Sequence, residues 1–184
     1  DSKRLLYADR NQNLYWVDVQ SGTQELVIHS DEGTINSYTF GPDSKWIAYS
    51  LPGKAREFTV IHLHHIDSKR SIAVTDAWYN SRQPTFSPDG KFLYFVSERD
   101  FNPIYGNTEW NHIYSDMSRP YLVRLRADTP SPFRTESDEV SLPKEKREDE
   151  AEKSGKEDKE NILVSVDEEG LADRIESLPV APGS

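Results

Sequence analysis

One landmark returns three times along this chain, and a repeat constrains a fold more than any single residue does. It reads Asp1-Ser2-Lys3-Arg4-Leu5-Leu6-Tyr7, then Asp43-Ser44-Lys45-Trp46-Ile47-Ala48-Tyr49, then Asp89-Gly90-Lys91-Phe92-Leu93-Tyr94-Phe95, at offsets of 42 and 46 residues. Phe40-Gly41-Pro42 precedes the second copy and Phe86-Ser87-Pro88 the third. Pro followed by Asp and Gly or Ser encodes a turn: Pro presets φ, Asp accepts from nearby backbone, and Gly tolerates positive φ. A short strand rich in aromatic and β-branched residues leaves each turn.

A second landmark follows each first. Leu14 to Val19 runs into the turn Gln20-Ser21-Gly22 and then Glu25 to Ile28. Thr59 to Ile66 runs into Asp67-Ser68-Lys69 and then Ser71 to Val74. Ile162 to Val166 runs into Asp167 to Gly170 and then Arg174 to Leu178. Four short strands per roughly 40–45 residues is the period of a β-propeller blade. The expected fold is therefore all-β: about three four-stranded antiparallel blades of a larger ring. The expected units are about 1–30, 34–76 and 84–179. The first lacks its innermost strand and opens on Arg4 to Ala8. The third starts at Pro84 to Ser87, continues through Phe92 to Ser97, and is interrupted twice. Its third strand is either Tyr121 to Arg126 or Ile162 to Val166.

The first interruption, residues 98–120, is rich in aromatics: Phe101, Tyr105, Trp110 and Tyr114. Rings of that size are rarely left in water. The segment reads as a loop packed on the blade edge, or as one that covers a pore mouth or docks another domain. The second, residues 128–160, ends in a tract with 14 charged residues among the 18 from Pro143 to Glu160. Such a tract cannot offset its ordering entropy by burial, so disorder or a frayed solvated helix is expected over 134–160. An acidic docking site for a basic partner is the alternative.

Composition narrows the chemistry. A net charge of −10 argues against nucleic acid as a partner. With no cysteine among 184 residues, disulfides, thiolate metal sites and cysteine nucleophiles are excluded. No apolar run reaches the roughly 18 residues a membrane span needs. The chain opens inside a repeat and without Met, so a piece of a longer protein is expected. A cytoplasmic compartment is expected, with the periplasm as the alternative.

No phosphate loop, nucleophile elbow or zinc-binding helix motif is present. His62, His64 and His65 form the one histidine cluster. A strand places His62 and His64 on one face and His65 on the other. They read as a polar outer face of a strand, and two same-face imidazoles lack the third ligand a metal needs. Asp43 and Asp89 read as turn residues. The approaches to the innermost strands carry Asn36 and Ser37 in one unit and Asn80, Ser81, Arg82 and Gln83 in another. Asn36, Asn80, Arg82 and Gln83 are the candidate substrate-channel residues. No catalytic residue, cofactor or metal is expected.

The Pro-Asp-Gly blades resemble TolB-type and prolyl-oligopeptidase propellers. The stretches 97–106, from Ser97-Glu98-Arg99-Asp100-Phe101-Asn102-Pro103, 119–133, from Arg119-Pro120-Tyr121-Leu122, and 170–180, from Gly170-Leu171-Ala172-Asp173, resemble the propeller region of tricorn-type serine peptidases more specifically. The resemblance covers essentially the whole chain. It implies part of a seven-bladed ring through which peptide substrates reach a catalytic core that lies beyond Ser184. It also implies further blades and catalytic domains of the same protein as partners, and a homo-oligomer. No position matches the family's catalytic motifs, so none is carried over. The other reading is a TolB-like propeller that scaffolds protein contacts without peptidase activity.

Overall fold

In the computed structural model, residues 3–54, 58–100, 103–105, 112–114, 116–134 and 162–183 are described. The strands are β1 (Arg4–Ala8), β2 (Asn13–Asp18), β3 (Gln24–His29), β4 (Tyr38–Phe40), β5 (Trp46–Pro52), β6 (Thr59–His65) and β7 (Arg70–Ala73). The third repeat supplies β8 (Ser81–Phe86), β9 (Phe92–Ser97), β10 (Pro103–Tyr105), β11 (His112–Tyr114), β12 (Arg119–Arg124) and β13 (Ile175–Ser177). They make a three-stranded sheet β1-β2-β3, two four-stranded sheets, β4-β5-β6-β7 and β8-β9-β12-β13, and a small hairpin β10-β11. Every pairing is antiparallel.

The repeated turns form as their residues dictate. Asp43 Oδ1 accepts from Lys45 N at 2.9 Å, and Ser44 N donates to Gly41 O at 2.9 Å. Asp89 Oδ1 accepts from Lys91 N at 3.1 Å and from Ser87 Oγ at 2.6 Å. The residue after each Asp has a left-handed φ: 57° at Ser44 and 71° at Gly90. Gly90 is also hemmed in, since a Cβ there would stand 3.0 Å from Val164 Cγ2.

Successive sheets stack face to face, and two apolar seams result. Leu14, Val27, Ile35, Ile47, Tyr49 and Ile66 fill the seam between the first and second sheets. Ala48, Ile61, Leu63, Phe86, Leu93, Phe95, Tyr121 and Val123 lead the seam between the second and third. The second sheet is thus buried on both faces. Along β5, Ile47 and Tyr49 serve one seam and Ala48 the other.

The third sheet decides between the two expected third strands. β12 pairs with β9 from Arg119↔Ser97 to Arg124↔Phe92, and β13 pairs with β12. Residues 162–168 form no strand. They run as a strap across the second and third sheets. Val164 is 4% exposed; its N–H donates to Asp43 Oδ2 at 3.1 Å and its carbonyl accepts from Trp46 Nε1 at 3.1 Å. A side-chain carboxylate and an indole take the place of a neighbouring strand. Arg174 then fastens the strap to β12: its guanidinium donates to the carbonyls of Arg124 (3.0 Å), Glu169 (2.7 Å), Leu125 (3.4 Å) and Asp167.

β8 begins at Ser81, three residues earlier than Pro84. A β-bulge between Arg82 and Thr85 absorbs the polar residues there, with Gln83 at φ 57°. In the first interruption the backbone forms the β10-β11 hairpin; Phe101 and Trp110, and the side chains of Tyr105 and Tyr114, lie outside the described residues. The expected disordered segment 134–160 also lies outside them, apart from Arg134, whose N–H donates to Ser131 O at 3.3 Å. Among the described residues, no helix is long and apolar enough to cross a membrane.

Candidate functional site

Two of the candidate channel residues, Asn80 and Arg82, meet where β8 begins, β9 ends and β12 begins. The connection from β7 enters here, and the excursion that carries β10-β11 leaves from here. Asn80 ties two sheets together: its Oδ1 accepts from Thr59 N on β6 at 3.1 Å, and its Nδ2 donates to Glu98 Oε2 at 2.8 Å. Arg82 donates to the other oxygen of Glu98 and, through Nη2, to Ser118 Oγ at 3.3 Å. Two of the four candidates therefore converge on one carboxylate. These bonds, that from Arg82 first, hold the Glu98 carboxyl below the usual carboxylate range.

Gln83 does not join them. Its side chain is exposed on the bulge of β8. Asn36 is exposed in the stretch before β4. Ser37 and Ser81 serve the sheets: Ser37 O accepts from Ser50 N at 2.9 Å, and the Ser81 hydroxyl, wholly buried, lies 3.1 Å from that of Ser97.

Beside Glu98, Asp100 and Arg119 form an ion pair at 2.8 Å. Arg99, between Glu98 and Asp100 in sequence, turns elsewhere. Its guanidinium carbon lies 5.2 Å from the ring centre of Tyr121, 5.4 Å from Tyr79 and 5.8 Å from Phe95, and its Nε donates to Ser97 Oγ at 3.0 Å. The residues cannot be foreseen as partners from their spacing, because Tyr79, Phe95 and Tyr121 arrive from three elements. The abundance of aromatics around Arg99 is the only sequence signal. Burial and the Asp100 charge push the Tyr121 phenol above its ordinary range, so it stays neutral beside the guanidinium.

The histidines behave differently from a polar outer face. His62 and His64 do share a face, but that face turns into the seam between the first and second sheets. His62 stacks on Tyr49 with ring centres 5.4 Å apart, and His64 is 5% exposed with Nδ1 2.9 Å from Ser71 Oγ. The face is buried because a blade lies on it, which local alternation does not reveal. His65, on the opposite face, packs edge-on to Trp46 and meets Ser68 Oγ at 3.0 Å. Burial lowers both the His62 and His64 pKa values, and the His65 charge lowers that of His64 further. The His64–Ser71 contact is a cross-strand pair in the β6-β7 ladder. Among the described residues, no group of three or more metal-ligating side chains comes together.

Residues 1–184 match the family model described as the tricorn protease second beta propeller domain. Tricorn protease homolog 1 of Streptomyces coelicolor is 31% identical over 180 residues, covering 98% of this chain and 16% of that protein. The tricorn protease of Thermoplasma volcanium is 30% identical over 139 residues, covering 73% of this chain and 14% of that protein. A tricorn protease crystal structure superposes with a TM-score of 0.75 at 21% identity, over 99% of this chain and 16% of that one. A TolB-type structure from Agrobacterium tumefaciens matches 68% of this chain and 43% of its own with a TM-score of 0.50 at 23% identity, a likeness of fold. The chain spans about a sixth of the length of the curated relatives it matches. With its full length covered by the family model, three stacked antiparallel sheets and homologues at about 30% identity, this chain belongs to the tricorn protease second β-propeller domain family.

Proposed function

We propose that this chain is a non-catalytic propeller segment of a tricorn-like serine peptidase, and that it guides peptide substrates toward a catalytic core outside it. The observation that carries this reading is the family match over residues 1–184. The rim around Glu98 supports it. Its polar groups sit at a sheet end, in fixed geometry, beside exposed Trp78 and Tyr79. Such a surface can hold an extended peptide weakly and release it, which is what a passage requires. Asn36 and Gln83, both exposed, extend the polar wall along the inner strands β4 and β8.

The partners proposed are further blades and the catalytic domains of the same protein, within a homo-oligomer in the cytoplasm. Exposed apolar side chains at both outer sheets favour more blades: Leu5 and Leu26 on the first, Leu163 and Val180 near the third. Fluorogenic-peptide hydrolysis tests the reading. The chain alone should be inactive, and a protein that joins it to a tricorn-type core should cleave. Activity in neither would favour a TolB-like binding scaffold; activity in the chain alone would overturn the non-catalytic reading.

A further inference from the structure

The first sheet is one strand short of the second and third, and its inner edge is open. β1 ends the order β1-β2-β3, and among the described residues no other strand pairs with it, whereas β4 and β8 flank the equivalent strands β5 and β9. Along β1, Lys3 O accepts from Val19 N at 2.8 Å and Asp9 N donates to Asn13 O at 2.9 Å. Antiparallel pairs alternate, so Leu5 and Tyr7 bond to β2 while the N–H and C=O groups of Arg4, Leu6 and Ala8 point to the open edge. In the other two sheets the equivalent groups are paired. Gly41 N donates to Trp46 O at 2.7 Å, Ser50 N to Ser37 O at 2.9 Å, and Ser87 N to Phe92 O at 2.9 Å.

The side chains beside that edge are uncovered too. Leu5 is 53% exposed, while Ile47 and Leu93, its counterparts in the next two repeats, are wholly buried. Phe40 lies opposite Ile47 and Phe86 opposite Leu93; one place earlier, Thr39 lies opposite Ala48 and Thr85 opposite Tyr94. Both segments continue into Pro, so each reads Thr-Phe-X-Pro with Gly or Ser at X. Phe86 is buried in its seam and Phe40 packs against the other. The chain thus holds two examples of the strand that suits such an edge. Carried over by the repeat, Thr falls opposite Leu6 and exchanges both backbone hydrogen bonds with it, and Phe falls opposite Leu5 and packs beside it.

We propose that the inner edge of β1 is a strand-addition site for an extended segment reading Thr-Phe-X-Pro, antiparallel to β1 and contributed by a further blade of the same protein. The source rests on the reading of partners given above; the register and the side chains rest on β4 and β8. Main-chain bonds to Leu6 supply affinity, and the phenylalanine beside Leu5 supplies selectivity.

A dye-labelled peptide copying Asn36 to Asp43 tests it by fluorescence anisotropy on this chain. Two backbone-methylated forms of that peptide read the register without altering the protein. Methylating the Thr nitrogen removes the bond to Leu6 O and should weaken binding about tenfold or more. Methylating the Phe nitrogen, which faces away from β1, should leave binding unchanged. Replacing the peptide's Phe with Ala should weaken binding about tenfold or more. On the protein, Leu5→Asp alters an exposed side chain and should weaken binding of the parent peptide about tenfold. Equal binding of the two methylated peptides would overturn the register and with it the proposal. Absence of parent-peptide binding at about 1 mM would overturn it as well. A second copy as the occupant would show in sedimentation as a dimer that takes up no peptide, and that outcome also overturns it. None of these results decides the peptidase reading, which the hydrolysis assay tests separately.

Discussion

Replacing Arg174 with Met removes a tie between the strap and β12 while keeping much of the side chain's volume. Arg174 is 8% exposed, and four backbone carbonyls receive its N–H groups. A hydrogen bond involving a charged group contributes about 1.5–3 kcal/mol, but the four do not sum. Leu125 O keeps a bond from Asp167 N at 2.9 Å. Asp167 and Glu169 are exposed residues, where water can replace the lost donors. Removing the guanidinium also releases its desolvation penalty. What remains is chiefly the stranded Arg124 carbonyl and the loosened strap, together about 3 kcal/mol. For a chain of this length that lowers Tm by about 6–12 °C. Thermal melts followed by far-UV circular dichroism and by tryptophan fluorescence would measure it; Trp46, bonded to Val164 O, reports on the strap directly. Arg70→Met is the control. It breaks the exposed Arg70–Glu168 pair, with side chains 66% and 40% exposed, and should move Tm by no more than about 2 °C. If the two variants melt together, the carbonyl cluster is not what holds the strap, and the reasoning fails.

Acidification should weaken the seam between the first and second sheets. His62 and His64 have folded pKa values below the ordinary imidazole value because of burial, so the unfolded chain takes up protons first. Their stabilising contribution is complete above about pH 6.5 and falls as pH drops toward the lowered native values, by up to about 1.4 kcal/mol per pH unit for each histidine. Urea midpoints between pH 5 and 7.5 should show this, and His62→Phe should flatten the slope; an unchanged slope would count against the assignment. At Gln83, φ 57° penalises any residue with a Cβ. Gln83→Gly should be neutral or stabilising by up to about 1 kcal/mol and Gln83→Val destabilising by about 1–2 kcal/mol, an order that denaturant titration can reverse or uphold. A Cβ at Gly53 would stand 2.6 Å from Phe58 O, so Gly53→Ala should cost about 1–3 kcal/mol in the same titration; a neutral result would mean the β5-β6 turn yields freely.

The parts of the fold legible in the sequence are those encoded within a few residues. Phe40-Gly41-Pro42-Asp43 and Phe86-Ser87-Pro88-Asp89 specify turns by their own chemistry, and β5 and β9 begin where those turns end. Ile162 to Val166 is as strand-like in composition as Tyr121 to Arg126, since each opens with three consecutive apolar residues. What separates them is the Asp43 carboxylate and the Trp46 indole, more than 110 residues away, which occupy the backbone groups of Val164. The early start of β8 was hidden because Ser81, Arg82 and Gln83 favour strands poorly, and a bulge accommodates them. At the site, Asn80 and Arg82 stood out as polar residues before an inner strand. Their meeting at Glu98 depends on the β8-β9 register, and the rings under Arg99 depend on three elements closing together.

The second sheet carries apolar side chains on both faces, and this removes a safeguard most sheets have. Where one face meets water, sliding a strand by one residue turns its hydrophobic set outward and is penalised at once. In β5 and β6 a slip of one place would exchange one seam for the other and expose little. Alignment must then be enforced by shape and by the strand ends. The Tyr49–His62 stack, the Trp46–His65 contact and the left-handed residues Ser44 and Lys69 at the flanking turns are the features that can tell the correct alignment from its neighbour. These positions hold the address of the middle blade, although they contribute little to the apolar mass of either seam.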